Sequence, residues 1–556
     1  MSSAPPVATV GTNELTSVPT WWRSRIAVWA TFTFVLTAAC LAVTLPDLGR
    51  YPRVHGDDSW VMSASYKLAT TGVFGSDLYA GFDGADQHYF IALPVYQFLQ
   101  ALSFVLFGAG IAEARSVTVV SAVVVLWATT WLALRWYGLG ASVVSGLLLV
   151  LLRVNLVNLW PGLPLLAVGR SGRYDMTGVA LLWLTVVFLD LALQRGSSRR
   201  LALSVGVCAG LATLTQFFGA FAVLIVVAML AWRGDQRKRM SAVVRWAAAG
   251  WVVVVAPYLL YVAWHWSDFR GQSTLKAGRT DFLDPSFYID NLRDETARYQ
   301  HLVDPDSILG TGVTTWLFVV AIVPIFGWLA WRARRPEQTG DRILLTTLLV
   351  CGAALALLDG TNVPLYSIVL WPGLCIAVAA ALAAGLVWVR NAAHERQIIP
   401  QRLVVTVMVA GAILLAVPMA TDAIDAYSED QQRRRETTSY TNVASELDAL
   451  IPAEARVVGH ERWWWGLHER EFLALNVLQL EWERQAEGSG QPPSFAALFE
   501  ATGAGALIVD DNARSEISRY LLELQQQIET FLATQMIQAA VLADPTYGRF
   551  EIHLRR

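Results

Sequence analysis

Charge is scarce in this 556-residue chain: Asp, Glu, Lys and Arg make up 16% of it, hydrophobic residues 55%, and the mean hydropathy is +0.43. Water-soluble globular chains carry nearer a quarter charged residues, so the deficit excludes an ordinary soluble protein. Cysteine is also rare. Cys40, Cys208, Cys351 and Cys375 each lie inside an apolar run, with no metal-ligand spacing and no pairing pattern. That excludes a disulfide framework and leaves small buried hydrophobes. No glycine-rich phosphate cradle follows a strand pattern, so nothing points to a nucleotide. Net charge is only −3, and the basic residues gather in short loops rather than in a patch, which gives no support to nucleic acid as a partner.

Long apolar runs are what the chain does have. By length and apolarity, about eleven stretches are expected to span a bilayer. They fall near Ile26–Val43, Val117–Leu134, Ser142–Leu159, Met176–Leu193, Leu201–Leu214, Phe217–Trp232, Ala247–Val262, Val313–Trp331, Ile343–Leu358, Tyr366–Val389 and Leu403–Met419. The pair flanking Gln216 is short and joined without a loop, as one broken helix or two tilted ones. Arg195, Arg199 and Arg200 share one loop, and Arg233, Arg237, Lys238, Arg239 and Arg245 another. Arg332, Arg334 and Arg335 occupy a third, and Arg390, Arg396 and Arg402 a fourth. With the amino terminus in the cytoplasm, every one of these loops falls on the cytoplasmic side, as the positive-inside tendency requires.

Three domains are expected. Residues 1–20 are Ser/Thr/Pro-rich and without periodicity, hence disordered. Residues 21–419 form the membrane domain, with a first external loop at 44–116 and a lid-like external loop at 263–312. Within the first loop, Phe90–Gly108 is apolar and interrupted by Pro94, and spanning there would reverse every later loop, so it is expected to lie on the outer leaflet. Residues 420–556 are expected to form an external α/β domain, with strands at Ala455–Gly459, Ala506–Val509 and Phe550–Leu554 and a helix at Ala513–Ala533. Arg462-Trp463-Trp464-Trp465 reads as an interfacial aromatic anchor, with a sugar-stacking platform as the alternative.

Carboxylates at a membrane surface cost free energy and pack poorly, which marks them as functional candidates. Asp57 and Asp58 follow the first span. Adjacent residues point in different directions, so one is expected to act as a base and the other to cap or orient a helix. Asp175 sits at the outer mouth of a span, after Arg170 and Arg173. Those arginines run against the positive-inside trend, as they would if an anionic group held them, and the guanidinium fork suits phosphate. The alternative is that they pair with Asp57, Asp58 or lipid headgroups. His88 and His265 are the imidazoles placed near the outer membrane surface, and no spacing around them argues for zinc.

Several segments together resemble a known family. Asp57-Asp58-Ser59-Trp60-Val61-Met62 is followed by Leu68-Ala69-Thr70-Thr71-Gly72. Then come Pro94 through Gly108 and Glu113-Ala114-Arg115. This order is similar to the first external loop of GT-C membrane glycosyltransferases of the aminoarabinose-transferase and protein O-mannosyltransferase superfamily. Arg173-Tyr174-Asp175-Met176, Leu211 through Gln216, and Pro364 through Pro372 resemble further segments of that family. The resemblance covers roughly residues 20–380; the tail is family-like in architecture only. It implies a polytopic α-helical GT-C fold and inverting transfer of a sugar from a polyprenyl-phosphate donor to an envelope glycan, lipid or protein acceptor. Asp57 would be the base and Asp175 the second active-site carboxylate. The donor phosphate would be held by Arg173, Lys276 and Arg279, with Arg170, Tyr174, His88, His265 and Tyr366 as further substrate-binding candidates.

Two departures bear on chemistry. The family's metal-binding Glu-Lys-Pro-Pro stands here as Ile91-Ala92-Leu93-Pro94, and a family lysine is Gln216. No cofactor is therefore called for, and a divalent metal finds no support in the sequence. Membrane lipids are the surroundings expected, in a bacterial plasma membrane. The competing function is a polytopic transporter or flippase of lipid-linked saccharides, which would show inverted repeats with matching broken helices. A sensor or assembly subunit is a third class, for which so many spans exceed what an anchor needs.

Overall fold

Backbone amides in lipid find no water to bond, so apolar runs of this length must coil. The computed structural model describes residues 20–154, 164–194, 198–232, 236–273, 282–303, 305–335, 337–396, 401–489 and 492–556. Of the stretch 1–20 expected to be disordered, residues 1–19 lie outside them and Thr20 opens the first helix. The membrane part begins with α1 (Thr20–Thr44), α2 (Gly56–Thr71), α3 (Pro94–Phe107), α4 (Ile111–Tyr137), α5 (Leu139–Leu151) and α6 (Pro164–Gly169). It continues through α7 (Asp175–Gln194), α8 (Arg199–Thr213), α9 (Phe221–Ala228), α10 (Gln236–Trp264), α11 (Trp266–Ser273) and α12 (Pro285–Val303). Four long helices complete it: α13 (Pro305–Ala333), α14 (Thr339–Leu358), α15 (Trp371–Arg396) and α16 (Gln401–Glu436).

Among the described residues, α1, α4, α7, α10, α14 and α15 contain six segments long and apolar enough to cross a membrane; α3, α5, Phe217–Ala231 and Val319–Ala333 are shorter apolar helices. Around Gln216 the chain makes separate elements rather than one broken helix. Here α8 stops at Thr213, and a tight 3-10 turn over Phe217–Ala220 leads into α9. Small residues let helices touch through their backbones, as membrane packing favours. A Cβ on Gly206 would lie 1.8 Å from the Ala247 carbonyl oxygen, so α8 and α10 meet at a distance only glycine allows. All four cysteines are buried and unpaired, in keeping with their role as small hydrophobes.

The short helix α3 has its polarity inverted. Tyr96, Gln97, Gln100 and Ser103 face inward, while Phe98, Leu102, Val105, Leu106 and Phe107 are exposed. An outward apolar stripe of this size suits lipid contact.

The helix α16 runs unbroken through residue 420, so the boundary expected there falls within a helix, and the compact tail starts after it. The tail contains α17 (Tyr440–Ala449), α18 (Trp464–Leu467), α19 (Leu475–Ser489), α20 (Phe495–Ala501), α21 (Asp511–Tyr520) and α22 (Leu522–Gln535). Its strands are β1 (Val457–Gly459), β2 (Phe472–Ala474), β3 (Ala506–Asp510), β4 (Met536–Asp544) and β5 (Gly548–Arg555). They form one sheet in the order β2-β1-β3-β5-β4; β2, β1 and β3 are parallel, β5 antiparallel to β3 and β4. The expected strands are present; β2 and β4 were not anticipated, and the single helix expected over 513–533 is two.

One hydrophobic core joins the tail to the first loop. Val54, Met62, Tyr79, Phe82, Tyr89 and Ile91 pack in the same cluster as Tyr440, Trp463, Val509 and Ile552. Trp463 and Trp464 belong to this core rather than to a membrane anchor, and the Trp463 indole donates to Asp510 Oδ2 at 2.8 Å. Trp465 is half-buried, stacked on His468 with Tyr66 of α2 against its edge.

Candidate active site

The carboxylate pair sits where α2 begins. His55 is the N-cap: its ring accepts from the Asp57 amide, and Asp58 closes a capping box by accepting from the His55 amide at 3.2 Å. The two carboxylates therefore diverge. Asp58 is buried, accepts from Arg115 Nη2 at 2.8 Å and takes the Gly172 amide at 2.9 Å. Arg115, fully buried in α4, also donates to the Leu48 and Pro52 carbonyls. Asp58 thus ties the α2 start to the chain after α1, to α4 and to the turn before α7.

Asp57 points the other way and keeps 34% of its side-chain surface exposed. Its Oδ1 accepts from the Trp60 indole at 3.1 Å, and its Oδ2 pairs with Arg173 Nη1. Arg173 Nε donates to Asp175 Oδ2 at 2.8 Å, so one guanidinium bridges the two carboxylates. Asp175 is fully buried at the first turn of α7, where the exposed amides of a helix N-terminus favour negative charge. Its other oxygen accepts from Gln216 Nε2 at 3.1 Å. Gln216, where the resembling enzymes carry lysine, is thus a direct partner of the second carboxylate.

Arg115 pairs with Asp58, while Arg173 is shared by Asp57 and Asp175. A guanidinium does not deprotonate, so a fixed positive charge lies between the two carboxylates. Asp57 is the exposed member of the pair. Aromatic rings pack nearby: Tyr174 packs on Trp60 and Tyr96 with centroids 6.1 and 6.3 Å apart, and Tyr366 on Phe217 at 5.1 Å.

Other sequence candidates lie elsewhere. Arg170 is buried and directed away from the carboxylates: it pairs with Asp430 of α16 at 2.8 Å and bonds the Thr44 carbonyl. Its partner is neither of the anions expected, Asp57 or Asp58. His88 and His265 stack on one another, away from these contacts and beside Asp268. Lys276 and Arg279 lie outside the described residues. Within the loop at 263–312, Arg298 on α12 is fully buried and donates to Asp359 Oδ2 at 2.8 Å and to the Val363 carbonyl at 2.9 Å. Arg298, Asp430, Asp268 and Gln216's role were missed, because each depends on a partner distant in sequence. For Arg298 the only local signal was one arginine among carboxylates.

Two juxtamembrane helices after the first span, carboxylates at the starts of α2 and α7, and a C-terminal α/β tail together have the arrangement of the GT-C fold. The chain aligns with ArnT from Cupriavidus metallidurans bound to undecaprenyl phosphate at a TM-score of 0.58 and 16% identity, over 96% of this chain and 98% of that one. It aligns equally with the oligosaccharyltransferase AglB from Archaeoglobus fulgidus, in complex with an inhibitory peptide and a dolichol-phosphate, at a TM-score of 0.57 and 12% identity. That match covers 96% of this chain and 74% of AglB. No protein-family model matches the sequence, and neither does any curated protein sequence. At these identities the likeness establishes the fold.

Proposed function

We propose that this protein is an inverting glycosyltransferase that moves a sugar from a polyprenyl-phosphate carrier to a cell-envelope glycan, lipid or protein acceptor. The observation that carries the reading is the Arg173 bridge between half-exposed Asp57 and buried Asp175, in a chain with the GT-C fold. An acceptor hydroxyl or amine attacks the anomeric carbon from the face opposite the phosphate. Its proton passes to Asp57, the bond from the anomeric carbon to the phosphate oxygen breaks, and polyprenyl phosphate leaves with the electron pair. A base so placed contributes on the order of 10²–10⁴ in rate. Arg173 spends Nε and one Nη1 contact on carboxylates and keeps the rest of its fork for the anionic leaving group, whose charge grows in the transition state.

The membrane setting belongs to the same reading: a bacterial plasma membrane, the amino terminus cytoplasmic, and the site and tail outside. The apolar stripe of α3 beside the site offers the lipid tail a surface. The test is to incubate the purified protein with a panel of polyprenyl-phosphate sugars and membrane extract, and to follow free polyprenyl phosphate. A flippase of lipid-linked saccharides would move the donor across vesicles and leave its glycosidic phosphate bond intact.

A further inference from the structure

Where α1, α16 and the tail meet, a cavity of about 300 Å³ is lined by Tyr51, Arg53, Arg433, Glu436, Thr437 and Thr546. That volume is at the lower end of what small-molecule pockets enclose. None of these residues belongs to the carboxylate bridge. Arg53 follows α1, Arg433 sits in the last turn of α16, and Thr546 lies in the turn between β4 and β5. We propose that this cavity holds the phosphate of an anionic phospholipid headgroup, gripped by Arg53 and Arg433, so that one lipid ties the membrane part to the tail. The proposal does not depend on the transfer reading.

Three observations support it. The first is positive charge that the protein leaves unanswered. Arg53 donates from Nη1 to the Thr546 carbonyl at 3.0 Å, and among the described residues no carboxylate pairs with it. Burial, and then the positive charge of Arg462, push its guanidinium below the usual range. Arg50, close by, also spends its fork on carbonyls, those of Thr437 and Arg435. Glu436 is the one carboxylate in the lining and it is exposed, while nearby Asp430 is taken by Arg170 and Arg434. A phosphate would answer the excess, and the guanidinium fork takes two of its oxygens at once. The second observation is depth. Arg434 Nη2 donates to the Val43 carbonyl at 2.9 Å, so the end of α16 stands level with the last turn of the α1 span. Val28, Phe34 and Val35 are exposed along that span, and Leu45 just past it is 49% exposed. A lipid lying against α1 would set its acyl chains on these residues and its headgroup at the cavity, as anionic lipids do at basic pockets beside spans. The third is a built frame. Thr546 Oγ1 accepts from the Thr438 amide at 2.7 Å, and Asp544 Oδ1 accepts from the Thr546 and Tyr547 amides at 2.7 and 2.9 Å. The wall that positions Arg53 is therefore fixed to the end of α16.

The test uses the full-length protein in a neutral detergent, stripped of lipid. It is titrated with short-chain phosphatidylglycerol, phosphatidylcholine or inorganic phosphate, and native mass spectrometry counts what is bound. The expected result is one phosphatidylglycerol per chain, held at least about tenfold more tightly than phosphatidylcholine. Arg53→Gln and Arg433→Gln should each weaken binding by roughly fivefold, and Glu436→Gln, which removes the carboxylate from the rim, should tighten it. Arg433 is exposed, so Arg433→Gln spares the core and keeps the test decisive if Arg53→Gln, lacking the Thr546 contact, is unstable. Arg173→Ala should bind phosphatidylglycerol as the wild type does. The proposal is overturned if phosphatidylcholine is held as tightly or if Arg433→Gln binds normally. Displacement of the lipid by equimolar inorganic phosphate would overturn it in favour of a soluble phosphate. Loss of binding in Arg173→Ala would equally overturn it, by placing the phosphate at the carboxylate bridge.

Discussion

Adjacent aspartates at the start of α2 have been driven into opposite environments by geometry alone. Asp58 is enclosed by Arg115, the Gly172 amide and the His55 amide, whereas Asp57 meets solvent. Asp58→Ala leaves the Arg115 charge buried without its partner, a loss that typically costs about 3–5 kcal/mol. Its melting temperature should therefore fall by many degrees, and turnover per folded molecule should fall much less. Arg173 makes a different prediction. Lysine keeps the charge but not the fork, so Arg173→Lys should be partly active and should melt near the wild type. Arg173→Ala should lose nearly all turnover, and Asp175 would then lack its cation. Measuring turnover and melting on both variants separates phosphate binding from carboxylate pairing: if Arg173→Lys restores stability with full activity, the guanidinium serves pairing only. These residues were legible in the sequence because charges at the ends of apolar spans break the pattern. Arg170 was legible for the same reason and was misassigned, since Asp430 lies 260 positions away and no local signal names it.

At the scale of elements, the long helices follow directly from apolar length, while the tail was harder to read. β1, β3 and β5 alternate or run apolar, as buried strands do. β4 has the sequence MIQAAVLAD, whose Met, Gln, Ala and Leu suit a helix equally; pairing with β5 makes it an edge strand. β2 has only three residues and was too short to register. The Trp463–Trp465 run was read through composition, which favours a membrane interface, but Asp510 and the Tyr440 ring draw Trp463 into the core. Asp510 carries a pH prediction. Burial alone would raise its carboxyl, but positive charge at His460 and Arg462 outweighs this and holds it below the usual carboxylate range. A depressed folded value contributes stability that is present above the unfolded value and lost as pH falls through the folded one. The tail should therefore lose stability as pH drops below about 4, where an unfolded aspartate takes up its proton. Thermal melting against pH checks this; Asp510→Asn should be less stable at neutral pH and should lose that part of the acid dependence.

The whole molecule places the carboxylate bridge, the α3 stripe and the tail at one end of the helical bundle, with tail and first loop sharing a core. The basic loops lie between apolar spans in the sequence, and the orientation they lead one to expect can be tested. Since the four native cysteines are buried, introduced ones should report cleanly. An impermeant thiol reagent applied outside intact cells should label Gln526→Cys in the tail and miss Glu337→Cys in a basic loop. The reverse pattern would put the site in the cytoplasm and remove the case for an external acceptor.

Release of polyprenyl phosphate bears most directly on the central claim. Purified wild-type protein and Asp57→Asn, reconstituted in liposomes with a panel of polyprenyl-phosphate sugars and an envelope extract, should differ in one respect. Wild type should release free polyprenyl phosphate from at least one donor and pass the sugar on with inverted configuration. Asp57→Asn, equally folded, should lose on the order of 10² or more of that rate. Equal rates from the two proteins, or an intact donor carried across the bilayer by the wild type, would contradict the account.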